Sequence, residues 1–315
     1  MRSISFLILT LAFCQGLTAQ QVNWLQHVGT TMHDIGSAVD LAPNGDVVVV
    51  GYYESGTPMD FDAGPGVYNY GDFGLFIARY APTGEVLHVQ HCMSSLDHGF
   101  TTYPPGKEIT MRCAPVSGNI YIAGDSDVGT GDLRVIKTDP LGNLLWERDY
   151  YLGPNSDTRW RAMDVDSLDN VYIAGDLEGT VDLDPGTATY NLSSFSTDFF
   201  ITKLDSAGNF AWAVQNGDFF DTDNAASICV RDDSTFFLLT SESDNDVVGV
   251  YEYGTDGIMH WRVPITSQGG VGAYAIDLDN EGNIYIHVNC ITQMDMDPFA
   301  GVQYFNGWTD AIAKY

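Results

Sequence analysis

An internal repeat constrains this chain more than any other feature. A turn pair followed by a β-branched and aromatic run appears as Gly118-Asn119-Ile120-Tyr121-Ile122-Ala123-Gly124, and recurs at 45–51, 169–175, 234–240 and 282–288. A second register mark confirms the period: Tyr80 to His88, Thr138 to Trp146, Leu204 to Trp212 and Tyr253 to Trp261 are each eight residues apart. Self-similarity at such a period means a stacked or circular β architecture. Repeat scaffolds of this kind host many functions, so the repeat speaks to fold and not to chemistry.

Each unit reads as four strands. A short strand (37–41, 110–114, 162–166, 227–231, 274–278) turns into the repeated run, which makes a hairpin. A third strand follows (75–80, 133–138, 199–204, 247–253, 311–315), then a Gly-bearing turn and a fourth strand around His88, Trp146, Trp212 or Trp261. Four antiparallel strands in about 49 to 66 residues are the size of one propeller blade. The spacing therefore predicts an all-β, five-bladed propeller of four-stranded antiparallel blades over 21–315, with units near 24–88, 89–146, 147–212, 213–261 and 262–315. The fifth unit ends after its third strand, and Val22 to Val28 reads as an unattached fourth strand. Residues 21–29 are expected to complete the last blade and close the ring, leaving no sheet edge; the competing expectation is membership of a longer array.

Residues 1–20 read as a signal peptide: Arg2, an apolar run from Ile4 to Phe13, then small residues through Ala19. The expected location is outside the cell or on its surface. No later segment approaches the roughly 18 apolar residues of a membrane span. Forty-two acidic against 13 basic residues, a net charge of −29, argue against nucleic acid and anionic membranes as partners. Beyond the leader stand Cys92, Cys113, Cys229 and Cys290. Four cysteines allow three pairings; Cys92 with Cys113 is the first expectation, free buried thiols the alternative. No CxxC or paired-His spacing suggests zinc.

The units alternate. Units 1, 3 and 5 carry Asp60-Phe61-Asp62, Asp182-Leu183-Asp184 and Asp295-Met296-Asp297 between their second and third strands; units 2 and 4 carry none. In the first strand the odd units place Asp40, Asp164 and Asp277 where the even ones place Cys113 and Cys229. In an extended segment Asp60 and Asp62, Asp182 and Asp184, or Asp295 and Asp297 point to one side, as a calcium site requires. The motif supplies two carboxylates where calcium takes six to eight oxygens, so turn-capping is the competing reading.

Asp40, Asp164 and Asp277 fall on the strand nearest a propeller axis, where converging carboxylates could act as acid and base in sugar hydrolysis. Register alone also explains them, because the same position repeats. Trp24, Trp146, Trp212 and Trp261 share a register that favours packing between blades. Trp160 and Trp308 lie outside it and are the candidates for exposed ligand contact.

The small-Val-Asp strand, Gly-Asn-Val-Tyr-Ile-Ala-Gly, Asp-x-Asp-Pro-Gly, Phe-Ile-x-Lys-Leu-Asp and Gly-Asn-x-x-Trp, clearest over 162–212, resemble the secreted bacterial β-propeller repeat (SBBP). The resemblance implies a propeller in an exported or surface protein with no reaction assigned to the repeat. The functional expectation is a non-enzymatic binding or adhesion scaffold toward an extracellular glycan or protein. The alternative is a carbohydrate-active hydrolase using the axial carboxylates.

Overall fold

In the computed structural model, the described residues are 24–25, 28, 34–53, 59–62, 69–70, 74–91, 109–126, 132–151, 158–217, 222–242, 246–297, 303–307 and 309–315. All regular structure among them is β. Residues 1–20, Cys92 and Trp308 lie outside them. No helix among the described residues is long and apolar enough to cross a membrane.

Five antiparallel sheets follow one another along the chain. Blade 1 orders β1 (Asp34–Leu41), β2 (Val47–Tyr53), β5 (Gly74–Tyr80) and β6 (Val86–His91), with β3 (Met59–Asp60) and β4 (Asn69–Tyr70) forming a small hairpin in the loop between β2 and β5. Blade 2 runs β7 (Thr110–Cys113), β8 (Ile120–Ser126), β9 (Asp132–Thr138), β10 (Leu144–Tyr150). Blade 3 is β11 (Arg159–Val165), β12 (Val171–Asp182), β13 (Asn191–Leu204), β14 (Phe210–Asn216). Blade 4 is β15 (Asp223–Val230), β16 (Thr235–Glu242), β17 (Val247–Gly254), β18 (Met259–Thr266). Blade 5 has three described strands, β19 (Val271–Leu278), β20 (Ile284–Cys290) and β23 (Thr309–Lys314), plus the hairpin of β21 (Gln293–Asp295) and β22 (Tyr304–Asn306). The first strands touch in series, β1 to β7 to β11 to β15 to β19, which makes them the inner strands of the ring.

The core lies between the blades. Val48, Val50, Leu75 and Ile77 of blade 1 pack on Met111, Ile120, Ile122 and Ile136 of blade 2. Corresponding clusters fill the 2/3, 3/4 and 4/5 interfaces. Blades 2, 3 and 4 are therefore covered on both faces, which is why their second strands read as continuous apolar runs instead of alternating ones.

Two bulges recur. The outermost strand slips register at the residue before His88, Trp146, Trp212 and Trp261. A bulge re-aims the side chain that follows. Trp146 Nε1 donates to Ser206 O at 3.1 Å and Trp212 Nε1 to Thr255 O at 3.0 Å, each on a turn of the next blade. Those turns present Gly208 and Gly257 at φ 77° and 85°; a Cβ there would meet the indole at about 3 Å. The shared Trp register thus serves contact between blades.

Trp24 behaves in the same way. It carries no strand pairing, yet its Nε1 donates to Pro82 O at 3.0 Å, its ring stacks on Tyr80, and Val28 packs on the same side of blade 1. A fourth-strand Trp of the preceding blade would take this seat. Any pairing of 22–28 with β23 lies outside the described residues.

Two expectations are corrected. Trp160 is not an exposed contact: it sits in β11, 6 % exposed, in the core between blades 2 and 3. Cys113 is a free, buried thiol. Its expected partner, Cys92, lies outside the described residues.

Candidate functional site

Inner strands of all five blades converge on a cavity of roughly 740 Å³. Asp40, Cys113, Asp164, Cys229 and Asp277 line it, one from each blade in order, together with Arg112 and Arg231. The alternation read in the sequence is thus a ring of side chains around the axis.

Each carboxylate is held by backbone. Oδ1 of Asp40, Asp164 and Asp277 accepts the amide of the next residue, Leu41, Val165 and Leu278, at 2.8, 2.9 and 2.8 Å. Oδ2 of Asp40 accepts Cys113 N of blade 2 at 2.8 Å, and Oδ2 of Asp164 accepts Val230 N of blade 4 at 2.7 Å. Arg112 of blade 2 adds an ion pair to Asp164 at 3.5 Å. Asp277 Oδ1 also faces the Cys229 thiol at 3.9 Å. The aspartates therefore staple blade to blade, a role Arg112 shares; nothing in the repeat register singled Arg112 out.

Burial pushes the Asp164 carboxyl up to about 6, with Asp40 adding to the rise and Arg112 and the two amides opposing it. Burial likewise raises the Cys113 and Cys229 thiols to about 12, which leaves them unreactive near neutrality. For Asp164 the folded state holds its proton more tightly than the unfolded one. Its contribution to stability is largest below about pH 4 and falls as pH rises toward 6, by up to about 3 kcal/mol. The stability difference between the wild type and Asp164→Asn should shift in favour of the wild type between pH 7 and pH 4. Parallel denaturant curves at the two pH values check this; a constant difference contradicts it.

The Asp-x-Asp segments have a different geometry. Phe61, Leu183 and Met296, the middle residues, are buried, so each motif plugs its blade with an apolar anchor. The first Asp closes the turn: Asp60 Oδ1 accepts Asp62 N, Asp182 Oδ1 accepts Asp184 N and Tyr190 N, and Asp295 Oδ1 accepts Asp297 N and Gln303 N. Asp184 Oδ1 caps Gly186 N at 2.8 Å, an Asx turn over Pro185. Among the described residues no three His, Cys, Asp or Glu side chains gather in a metal-binding group. We expect the same melting temperature in excess EDTA and in calcium. A site held at a hundred times its dissociation constant would add about 2.7 kcal/mol, and a rise lost in Asp182→Asn would make these loops calcium sites.

No protein-family description matches the chain. Over 169 residues it is 27 % identical to the regulatory protein FlaEY of Caulobacter vibrioides, covering 53 % of this chain and 16 % of that protein. The chain thus spans about a sixth of this curated relative. Among solved structures it is similar to a protein of unknown function from Bacteroides caccae, at 12 % identity and TM-score 0.40, covering 80 % of this chain and 69 % of the other. A Hadza microbial sialidase gives 8 %, 0.44, 87 % and 58 %. An exo-β-1,3-galactanase from Clostridium thermocellum gives 10 %, 0.42, 91 % and 60 %. Likeness at this level carries no argument about function.

Proposed function

We propose that the chain is a non-enzymatic binding or adhesion scaffold of the secreted bacterial propeller-repeat kind, acting outside the cell or on its surface. Its ligand, a glycan or a protein, is held at the mouth of the axial cavity. One observation supports the scaffold reading above others: the Oδ2 atoms of Asp40 and Asp164 are committed to backbone amides of the neighbouring blade. A catalytic acid or base must exchange its proton with a substrate, and a carboxylate fixed by two amides is poorly placed for that.

A second reading, a carbohydrate-active hydrolase, is favoured by the Asp164 carboxyl, since burial makes it a proton holder at mildly acid pH. The two separate in one experiment. Residues 21–315 and the cavity-filling variant Ser227→Trp are screened on glycan and protein arrays, and the wild type is incubated with aryl glycosides at pH 5 to 7. The scaffold reading expects binding without turnover, weakened at least tenfold in Ser227→Trp. Turnover that disappears in both Asp164→Asn and Asp277→Asn would replace it with the hydrolase. Equal binding by Ser227→Trp would move the ligand away from the axis.

A further inference from the structure

The outer rim carries a second concavity where blade 2 meets blade 3, a groove of roughly 630 Å³ that shares no lining residue with the axial cavity. One wall is Tyr151, which follows β10. Tyr150, the last residue of that strand, is 1 % exposed in the core between the two blades, and Tyr151 beside it is turned outward at 74 %. The repeat does not ask for an aromatic here: the same register holds Gly217 in blade 3 and Thr266 in blade 4.

The rest of the groove comes mainly from blade 3. Phe210, at the start of β14, is held by Tyr190, whose ring lies 4.9 Å away and whose hydroxyl donates to Ala213 O at 3.1 Å. The loop Asp184-Pro185-Gly186-Thr187 supplies the polar side. A Cβ at Gly186 would come within 2.9 Å of Asp184 Oδ1, so the cap on Gly186 N keeps this backbone bare. Asp184 Oδ2 and the exposed Thr187 hydroxyl take no partner among the described residues. Arg148 is spent on the groove's own edge, donating to Gly208 O at 2.6 Å and Ala207 O at 2.9 Å. With Glu147, Asp149 and Asp184, the lining sets three carboxylates against that one guanidinium. Like charge therefore disfavours an anionic ligand.

We propose that this rim groove is a glycan subsite for a neutral pyranose chain, with one sugar ring stacked on Tyr151. The C–H face of a pyranose is apolar, and its hydroxyls both donate and accept. An exposed tyrosine ring beside an uncommitted carboxylate oxygen and a hydroxyl meets both needs. Asp184 Oδ2 accepts from one sugar hydroxyl, Thr187 Oγ1 bonds another, and Phe210 borders the ring. The volume falls within the roughly 300 to 1,000 Å³ of small-ligand sites. The site goes beyond the axial reading above and stands whether or not the axial cavity takes a ligand.

The test is native electrophoresis of residues 21–315 through gels that contain a β-1,3-glucan, a galactan, a mannan or a xylan, with alginate as the anionic control. At least one neutral polysaccharide should retard the wild type, and alginate should not. For that polysaccharide the dissociation constant should rise at least tenfold in Tyr151→Ala. The ring is exposed, so the melting temperature of that variant should hold within about 2 °C. Tyr151→Phe, which keeps the stacking face, should retain binding, and Asp184→Asn, which keeps the Oδ1 cap, should weaken it. Ser227→Trp should bind as the wild type does, since it fills only the axial cavity. No retardation by any of the neutral polysaccharides, retardation by alginate alone, or equal retardation of Tyr151→Ala overturns the proposal. Retardation lost in Ser227→Trp and kept in Tyr151→Ala also overturns it and assigns the glycan to the axis.

Discussion

Asp169→Ala is expected to destabilise the fold by about 3 to 5 kcal/mol, because it strands a buried charge. Asp169 follows β11 in blade 3 and accepts Ser117 Oγ and Asn119 Nδ2 of blade 2, both at 2.7 Å, while Lys137 Nζ lies at 2.8 Å. Lys137 is 7 % exposed in its side chain and has left only Ser206 O at 3.0 Å and the Tyr121 ring if the carboxylate goes. Burial pushes the Asp169 carboxyl up, and the bonds from Lys137, Ser117 and Asn119 outweigh it, holding the group below the usual range. That contribution is present above the ordinary Asp pKa and is lost as pH falls through the lowered one. Urea unfolding at pH 7 checks the magnitude; a loss below about 1 kcal/mol contradicts the staple. Asp169 also sits at φ 67°, where blades 1, 2 and 5 place the turn glycines Gly45, Gly118 and Gly282, so Asp169→Gly relieves backbone strain and should cost less than Asp169→Ala.

Trp212→Ala should cost about 3 kcal/mol, or roughly 6 to 12 °C in melting temperature. The indole bridges blades 3 and 4: it bonds Thr255 O, lies at 6.3 Å from Phe236 in a stacked arrangement and at 6.2 Å from Tyr172, and covers Gly257. Its removal opens a void between the sheets and uncovers the Tyr172 and Phe236 rings that pack against it. Blade 1 has His88 at this register and ties to blade 2 through Arg79, whose Nη1 donates to Pro140 O at 2.9 Å. His88→Ala should therefore leave the melting temperature within about 2 °C, a difference that separates a clamp from generic aromatic burial.

The blades were legible in the sequence because strand, turn and Trp recur at fixed offsets, and period is a backbone property. The inner-strand alternation was legible too, and register placed Asp40, Asp164 and Asp277 at the axis. What the alternation does there was not, since Asp40 reaches an amide 73 residues away and Asp164 one 66 residues away. Arg112 and Asp169 escaped notice for the same reason: each acts across a blade boundary, where one unit's pattern is silent. Trp160 was misread because it stands outside the Trp register. Its neighbours explain the error, for it precedes the inner-strand bulge at Arg161 and is turned into the core. The Cys92–Cys113 expectation failed on the Cys113 side, a free thiol buried in the core between blades 1 and 2.

Inner-strand order around the axis is the basis of the proposed function, and the native thiol of Cys113 reports on it. In Asp40→Cys a new thiol replaces the carboxylate that accepts Cys113 N, so mild oxidation followed by peptide mapping should yield a disulfide between position 40 and Cys113. Failure of position 40 to pair with Cys113 would contradict the arrangement of blades 1 and 2 about a common axial cavity.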